Sequence, residues 1–160
     1  MTSEVTGSSS SQVWVLNGVN LGRLGKRQPE IYGSTSHQQL VDRLLMAGQD
    51  LGLAVAVRQS DSEREMIEWL HQAADQHLPV VINPGAWSHY SLALADAARE
   101  IDLLVEVHLS NIYARESFRS HSVISPVAKG VISGLGIAGY EAALAYVATC
   151  LNARSGADDS

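Results

Sequence analysis

Short apolar runs alternate with amphipathic stretches five times along this chain. The runs are Val13 to Leu16, Leu53 to Val57, Pro79 to Ile82, Leu103 to Val107 and Gly130 to Ile132. Mostly uncharged and rich in β-branched residues, they suit strands buried on both faces of a parallel sheet. After the first, Leu40, Leu44, Leu45 and Leu51 recur at helical spacing with Asp42, Arg43 and Asp50 opposite, and Gly52 offers a stop. Ser60 and Glu63 have the spacing of a capping box, ahead of a core stripe of Met66, Ile67, Leu70, Ala73 and Ala74. Further helices are expected at about 88–100 and 138–151, with an irregular polar stretch at 110–126.

Strand and helix in strict alternation predict an α/β fold, a parallel sheet with helices on both faces. Right-handed crossovers leave few topologies, and for five strands the flavodoxin-like order 2-1-3-4-5, a three-layer sandwich, is expected. One domain over 13–151 accommodates all five repeats. Residues 1–12 have neither the basic start nor the apolar core of a signal peptide and, with serines at 8–11, are expected to form a flexible leader. The small polar residues 152–160 are expected to form a flexible tail.

This topology names a place for a ligand. Open α/β sheets bind outside the carboxyl ends of the strands where the order reverses, here between strands 1 and 3. The loops at 17–33 and 83–89 meet there, and the loop after strand 4 adjoins them. The first is too polar to fill a core and too long for a turn. It is either a lid or binding loop on a rigid scaffold, or a long solvated connection.

Charge and cysteine content narrow the partners. A net charge of -6 and a pI near 5.4 argue against nucleic acid and anionic membranes, so clustered cations must act locally. Cys150 stands alone, which rules out an internal disulfide and a thiolate zinc site and fits a reducing cytoplasm. No apolar run approaches the roughly 20 residues that span a bilayer. Gly18, Gly22 and Gly25 do not follow G-x-G-x-x-G, and no P-loop, H-E-x-x-H or nucleophile elbow occurs. Lys26 and Lys129, the only lysines, lie in no apolar segment that would prepare a Schiff base.

Several residues could carry chemistry. The first loop holds Arg23, Lys26, Arg27 and Tyr32. A free phenol, with a pKa near 10, is ionised to about one part in a thousand at pH 7 and is a poor base, but a nearby guanidinium favours the anion. Arg27 lies five residues from Tyr32 with Pro29 between, within reach if the lid folds back; otherwise the ring packs and its hydroxyl meets water. Glu106 and His108, at i and i+2 on strand 4, point to one face, where a carboxylate can orient an imidazole as an acid. The backbone N–H groups of Leu109 and Ser110 follow, in a turn that either binds a carboxylate or is merely a turn. Arg115 and Arg119 are spaced as on one face of a short helix, and by spacing alone they are solvated or one reaches the cleft. Asn83 can donate to and accept from a hydroxylated ligand, with His89 nearby. Asp96, set among Leu92, Leu94 and four alanines, is either a surface residue or one needing a partner from another subunit.

Taken together, LNGVNLGRLGKRQPEIYG, RQSDSE, NPGAWSHYSLALADA, VEVHLSNIYARESFRSHS and GLGIAGY resemble the type II 3-dehydroquinate dehydratase family, over about 13–151. The resemblance implies a cytoplasmic, cofactor-free, metal-free lyase of the shikimate pathway that converts 3-dehydroquinate to 3-dehydroshikimate. It implies Tyr32 as base, Arg27 as the lid arginine that favours its anion, and Asn20 as holder of a water against the enolate oxygen. It implies His108, oriented by Glu106, as the acid, with Leu109 and Ser110 holding the substrate carboxylate. Asn83, His89 and Arg119 would bind the substrate, Arg115 would lie near Tyr32, and Asp96 would come from a neighbouring subunit of a trimer within a dodecamer. The chain departs from the family pattern at Val19 (usually proline), at Asp61-Ser62 (usually Asn-His) and at Tyr90, Tyr113 and Ser120. A contrasting expectation is a flavodoxin-like binder of a flavin or small cyclic acid without turnover.

Overall fold

A computed structural model describes residues 10–158. Its five strands are β1 (Ser11–Asn17), β2 (Leu53–Gln59), β3 (Val80–Asn83), β4 (Leu104–His108) and β5 (Gly130–Ser133). All pairings are parallel and the order is β2-β1-β3-β4-β5, as the alternation predicts. Five helices connect and cover them: α1 (Pro29–Tyr32), α2 (His37–Asp50), α3 (Glu63–Asp75), α4 (Leu92–Ala98) and α5 (Ile137–Asp158).

The period-2 geometry of β1 sorts its side chains into two cores. Val13 and Val15 pack with Leu40 and Leu44 of α2 and Tyr140, Leu144 and Val147 of α5. Trp14 and Leu16 face the other way, against Met66 and Leu70 of α3 and Leu94 and Ala98 of α4. Burial on both faces explains why the run carries no charge. The sheet is thereby a rigid base, and the loops at its carboxyl ends are free to carry polar groups.

Where β1 and β3 lie side by side, Asn17 is opposite Asn83 in register. The loops leaving them touch: Gly18 N donates to the Asn83 carbonyl at 2.8 Å, and a Cβ on Gly18 would lie 2.6 Å from the Pro84 carbonyl oxygen. Only glycine admits that approach, because neither backbone can yield.

Some expected boundaries move. Ser62, not Ser60, caps α3, its side chain accepting from Glu65 N, while Ser60 Oγ accepts from Ser62 N. Both serines precede a glutamate by three residues, so the pattern alone does not choose between them. The helix expected at 88–100 is divided into a 3₁₀ turn at Gly85–His89 and α4, with Ser91 capping α4. The residues expected as a tail from 152 continue α5 to Asp158, and β1 begins at Ser11. None of residues 152–158 is buried, so the apolar period ends while the helix does not. Of the leader expected at 1–12, residues 1–9 lie outside the described residues, while Ser11 and Gln12 belong to β1. Among the described residues no helix is long and apolar enough to cross a membrane.

Candidate active site

Beyond the carboxyl ends of β1, β3 and β4 lies a cleft lined by the loops that leave all three strands. The sheet supplies its floor. His108, the last residue of β4, is 5% exposed and lines the cleft, while Glu106, one strand repeat earlier, is fully buried beneath it. His108 Nε2 lies 2.9 Å from Glu106 Oε2, and among the described residues Nδ1 has no hydrogen-bond partner.

Glu106 is held from three directions. Ser122 Oγ donates to Oε1 and Ser125 Oγ to Oε2, each at 2.8 Å. Burial pushes this carboxyl up, but the hydrogen bond and charge of His108 and the two serine hydroxyls outweigh it and hold it below the usual range. Sequence reasoning misses both serines, which lie 16 and 19 residues further along the chain. No local spacing signals a contact that only tertiary folding makes.

The lid brings the phenol opposite. The chain turns left-handed at Gln28 (φ 42°), forms the single turn α1, and leaves through Gly33 (φ 82°). Tyr32, at the end of α1, is half-buried against the α2–α5 core and lines the cleft. Arg115 Nη1 donates to the Tyr32 hydroxyl at 2.7 Å and to Ser110 Oγ at 3.3 Å. The Arg27 guanidinium stands 5.8 Å from the Tyr32 ring centre and that of Arg115 5.3 Å. Arg115, which spacing alone leaves free to be solvated, is thus the cation bonded to the phenol, and Arg27 lies over its face. Arg23 also lines the cleft; Lys26 does not.

Arg115 and Arg119 do not share one helix. Arg115 follows a 3₁₀ turn at Ile112–Ala114, and Arg119 belongs to another at Ser117–Ser120. Both line the cleft and meet Glu116 at the surface, Arg119 Nε donating to it at 2.8 Å. Leu109 and Ser110 lie just past β4, and neither backbone N–H donates to a carbonyl among the described residues. That leaves two N–H groups at the cleft for an anion. Ile112 and Ala86 add apolar wall that the sequence did not single out.

Asn20 enters the cleft from a left-handed position (φ 68°) that Asp61 stabilises, its carboxylate accepting from Asn20 N at 2.8 Å and from Gln59 Nε2 at 3.0 Å. The aspartate therefore supplies the acceptor this turn needs. Asn83 and His89 line the cleft from the β3 side, and His89 Nδ1 lies 2.8 Å from the His121 carbonyl. A carbonyl only accepts, so Nδ1 carries the proton and Nε2 is the nitrogen available to a ligand. Asp96 is apart from all of these, exposed on α4. Among the described residues no group of three or more His, Cys, Asp or Glu is placed to hold a metal ion.

The model of the family "Dehydroquinase class II" matches residues 11–148. A 3-dehydroquinate dehydratase from Salinispora tropica is 58% identical over 138 residues, covering 86% of this chain and 96% of that protein. One from Mycobacterium tuberculosis is 54% identical over 135 residues, covering 84% and 92%. The crystal structure of type II dehydroquinase from Propionibacterium acnes superposes with a TM-score of 0.87 at 58% identity, covering 88% of this chain and 97% of that one. A 3-dehydroquinate dehydratase-like protein from Bifidobacterium longum gives 0.68 at 41% identity, covering 89% and 98%. The matches run through every loop that builds the cleft, and the chain belongs to the class II dehydroquinase family.

Proposed function

We propose that this cleft eliminates water from 3-dehydroquinate to give 3-dehydroshikimate through an enolate, with Tyr32 as general base and His108 as general acid. One observation carries the assignment: a phenol bonded to Arg115 at 2.7 Å and an imidazole bonded to a buried carboxylate at 2.9 Å line the same cleft. The guanidinium of Arg115, with Arg27 over the ring, stabilises negative charge on the phenol oxygen. That oxygen takes the proton α to the ketone, and the C–H electron pair becomes the enolate. Asn20 holds a water that donates to the enolate oxygen. Collapse of the enolate expels the C1 hydroxyl, which takes a proton from His108 and departs as water, while Glu106 stabilises the imidazole in its charged form.

Binding falls to the remaining residues. The N–H groups of Leu109 and Ser110 take the substrate carboxylate, and Asn83, His89 and Arg119 hold the ring hydroxyls and the carboxylate side. The reaction moves protons and one hydroxyl only, so no cofactor enters the scheme. Supplying 3-dehydroquinate and following the ultraviolet absorbance of the conjugated enone product, with a chelator present, tests this directly. The expected result is steady product formation; thermal stabilisation by the compound with no product would leave only a binding protein.

The same reading includes a cytoplasmic location, consistent with the lone Cys150, and assembly as trimers within a dodecamer. Leu92 is 68% exposed one turn before exposed Asp96 on α4, and Tyr90 beside it is 63% exposed. An exposed apolar edge that also carries a carboxylate suits contact with a neighbouring copy, which would bring its Asp96 to this site. Light scattering is expected to give about 200 kDa, twelve copies of a 17.2 kDa chain, and a monomeric mass would remove both assembly and the role of Asp96.

A further inference from the structure

Beneath the cleft runs a chain of polar side chains of which the reaction above uses only Asn83, at one end. Asn17 and Tyr140 are fully buried and Asn83 nearly so, in a layer otherwise filled by Val, Leu and Ala. Apolar residues of similar size would fill this space without any hydrogen bond to satisfy. Buried polar groups here call for another role, and one end of the chain opens on the cleft through Asn83.

The donors and acceptors along it can be arranged in one direction only. Asn17 Nδ2 lies 3.1 Å from His37 Nε2, and a carboxamide nitrogen only donates, so the ring nitrogen accepts. Asn17 Oδ1 therefore faces Tyr140, whose hydroxyl donates to it at 2.7 Å. With its proton committed, the Tyr140 oxygen accepts from Asn83 Nδ2 at 2.8 Å. The other end of the same carboxamide agrees, because Asn83 Oδ1 accepts from Gly85 N at 3.2 Å. The second N–H of Asn83 has no partner among the described residues, and Asn83 lines the cleft. Burial pushes His37 down, away from the imidazolium that would reverse the chain, and pushes the Tyr140 phenol far up, so it stays protonated.

We propose that Asn17 and Tyr140 are positioning residues that fix the Asn83 carboxamide as a donor to the cleft, selecting a ligand with an acceptor oxygen, hydroxyl or carboxylate, at that place. That the ligand is 3-dehydroquinate rests on the function proposed above; the orientation of Asn83 does not. The partners are 57 and 123 residues apart in sequence, joined because β1 and β3 end in register under the first turn of α5.

Tyr140→Phe keeps the ring and removes the bridge. The expected result is KM raised about tenfold, the scale of one lost hydrogen bond, with kcat changed less than about threefold. In an Asn83→Ala background the same substitution is expected to add nothing to KM, because its route to the ligand is gone. If Tyr140→Phe does not fold, Asn17→Leu removes, from another element, the acceptor that commits the Tyr140 proton and is held to the same outcomes. A KM that does not change, or losses that add to those of Asn83→Ala, would overturn the proposal. A substrate-free measurement separates it from the reaction itself: in ¹⁵N-labelled protein the two Asn83 side-chain N–H resonances should be well resolved and should average in Tyr140→Phe. Absent turnover with that averaging overturns the dehydratase reading alone; resonances unaffected by the substitution overturn the orientation.

Discussion

Tyr32→Phe is expected to lower kcat by about a thousandfold, within the range that general-base catalysis contributes, while the substrate dissociation constant changes little. The ring keeps its contact with the α2–α5 core, so the lid retains its anchor. What disappears is the oxygen to which Arg115 donates at 2.7 Å; the arginine keeps its 3.3 Å bond to Ser110 Oγ and its 3.9 Å ion pair with Glu116. Saturation kinetics beside calorimetric titration of the inactive variant separate the two effects. A kcat within tenfold of the original would remove Tyr32 as the base and leave the arginines to serve binding.

Glu106→Gln should reduce kcat by about a hundredfold and also change how stability depends on pH. The carboxylate accepts from Ser122, Ser125 and His108 together, and a carboxamide must turn a donor toward at least one of them. A serine hydroxyl can rotate to accept, but a neutral amide cannot favour an imidazolium, so the acid weakens. At pH 7 the substitution costs about 1–3 kcal/mol of stability, the scale of an imperfectly satisfied buried group. Because folding holds the Glu106 carboxyl below its ordinary 4.5, its contribution is complete above that value and is lost as pH falls through the folded value. The gap in melting temperature between wild type and Glu106→Gln should therefore narrow below about pH 4.5, as scanning calorimetry across pH would record. A gap of constant width would mean that the carboxyl is not held ionised by folding.

How far the sequence foretold this molecule depends on the distance over which each feature is encoded. The strands were legible because β1 is buried on both sides and its lack of charge is visible within seven residues. Sheet order followed from alternation and handedness, which need no side-chain detail. Glu106 and His108 were legible as a pair because a strand puts i and i+2 on one face. The single turn α1 was not, since four residues are too few for a period to show. Arg115 and Arg119 misled because helical spacing means nothing across two separate 3₁₀ turns. The serines around Glu106 and the Asn17–Tyr140–Asn83 chain are contacts of the folded state alone, and no window along the sequence contains them.

The two halves of the proposed chemistry stand on supports of unequal stiffness. Every residue of β4 is buried, whereas α1 buries none of its own. Drift in length and composition is therefore tolerable in the flap as long as it returns one aromatic hydroxyl to Arg115, while the strand beneath has almost no room to vary. Over evolutionary time such a protein can retune its grip on a ligand through the flap, with the imidazole end of the pocket left as it was.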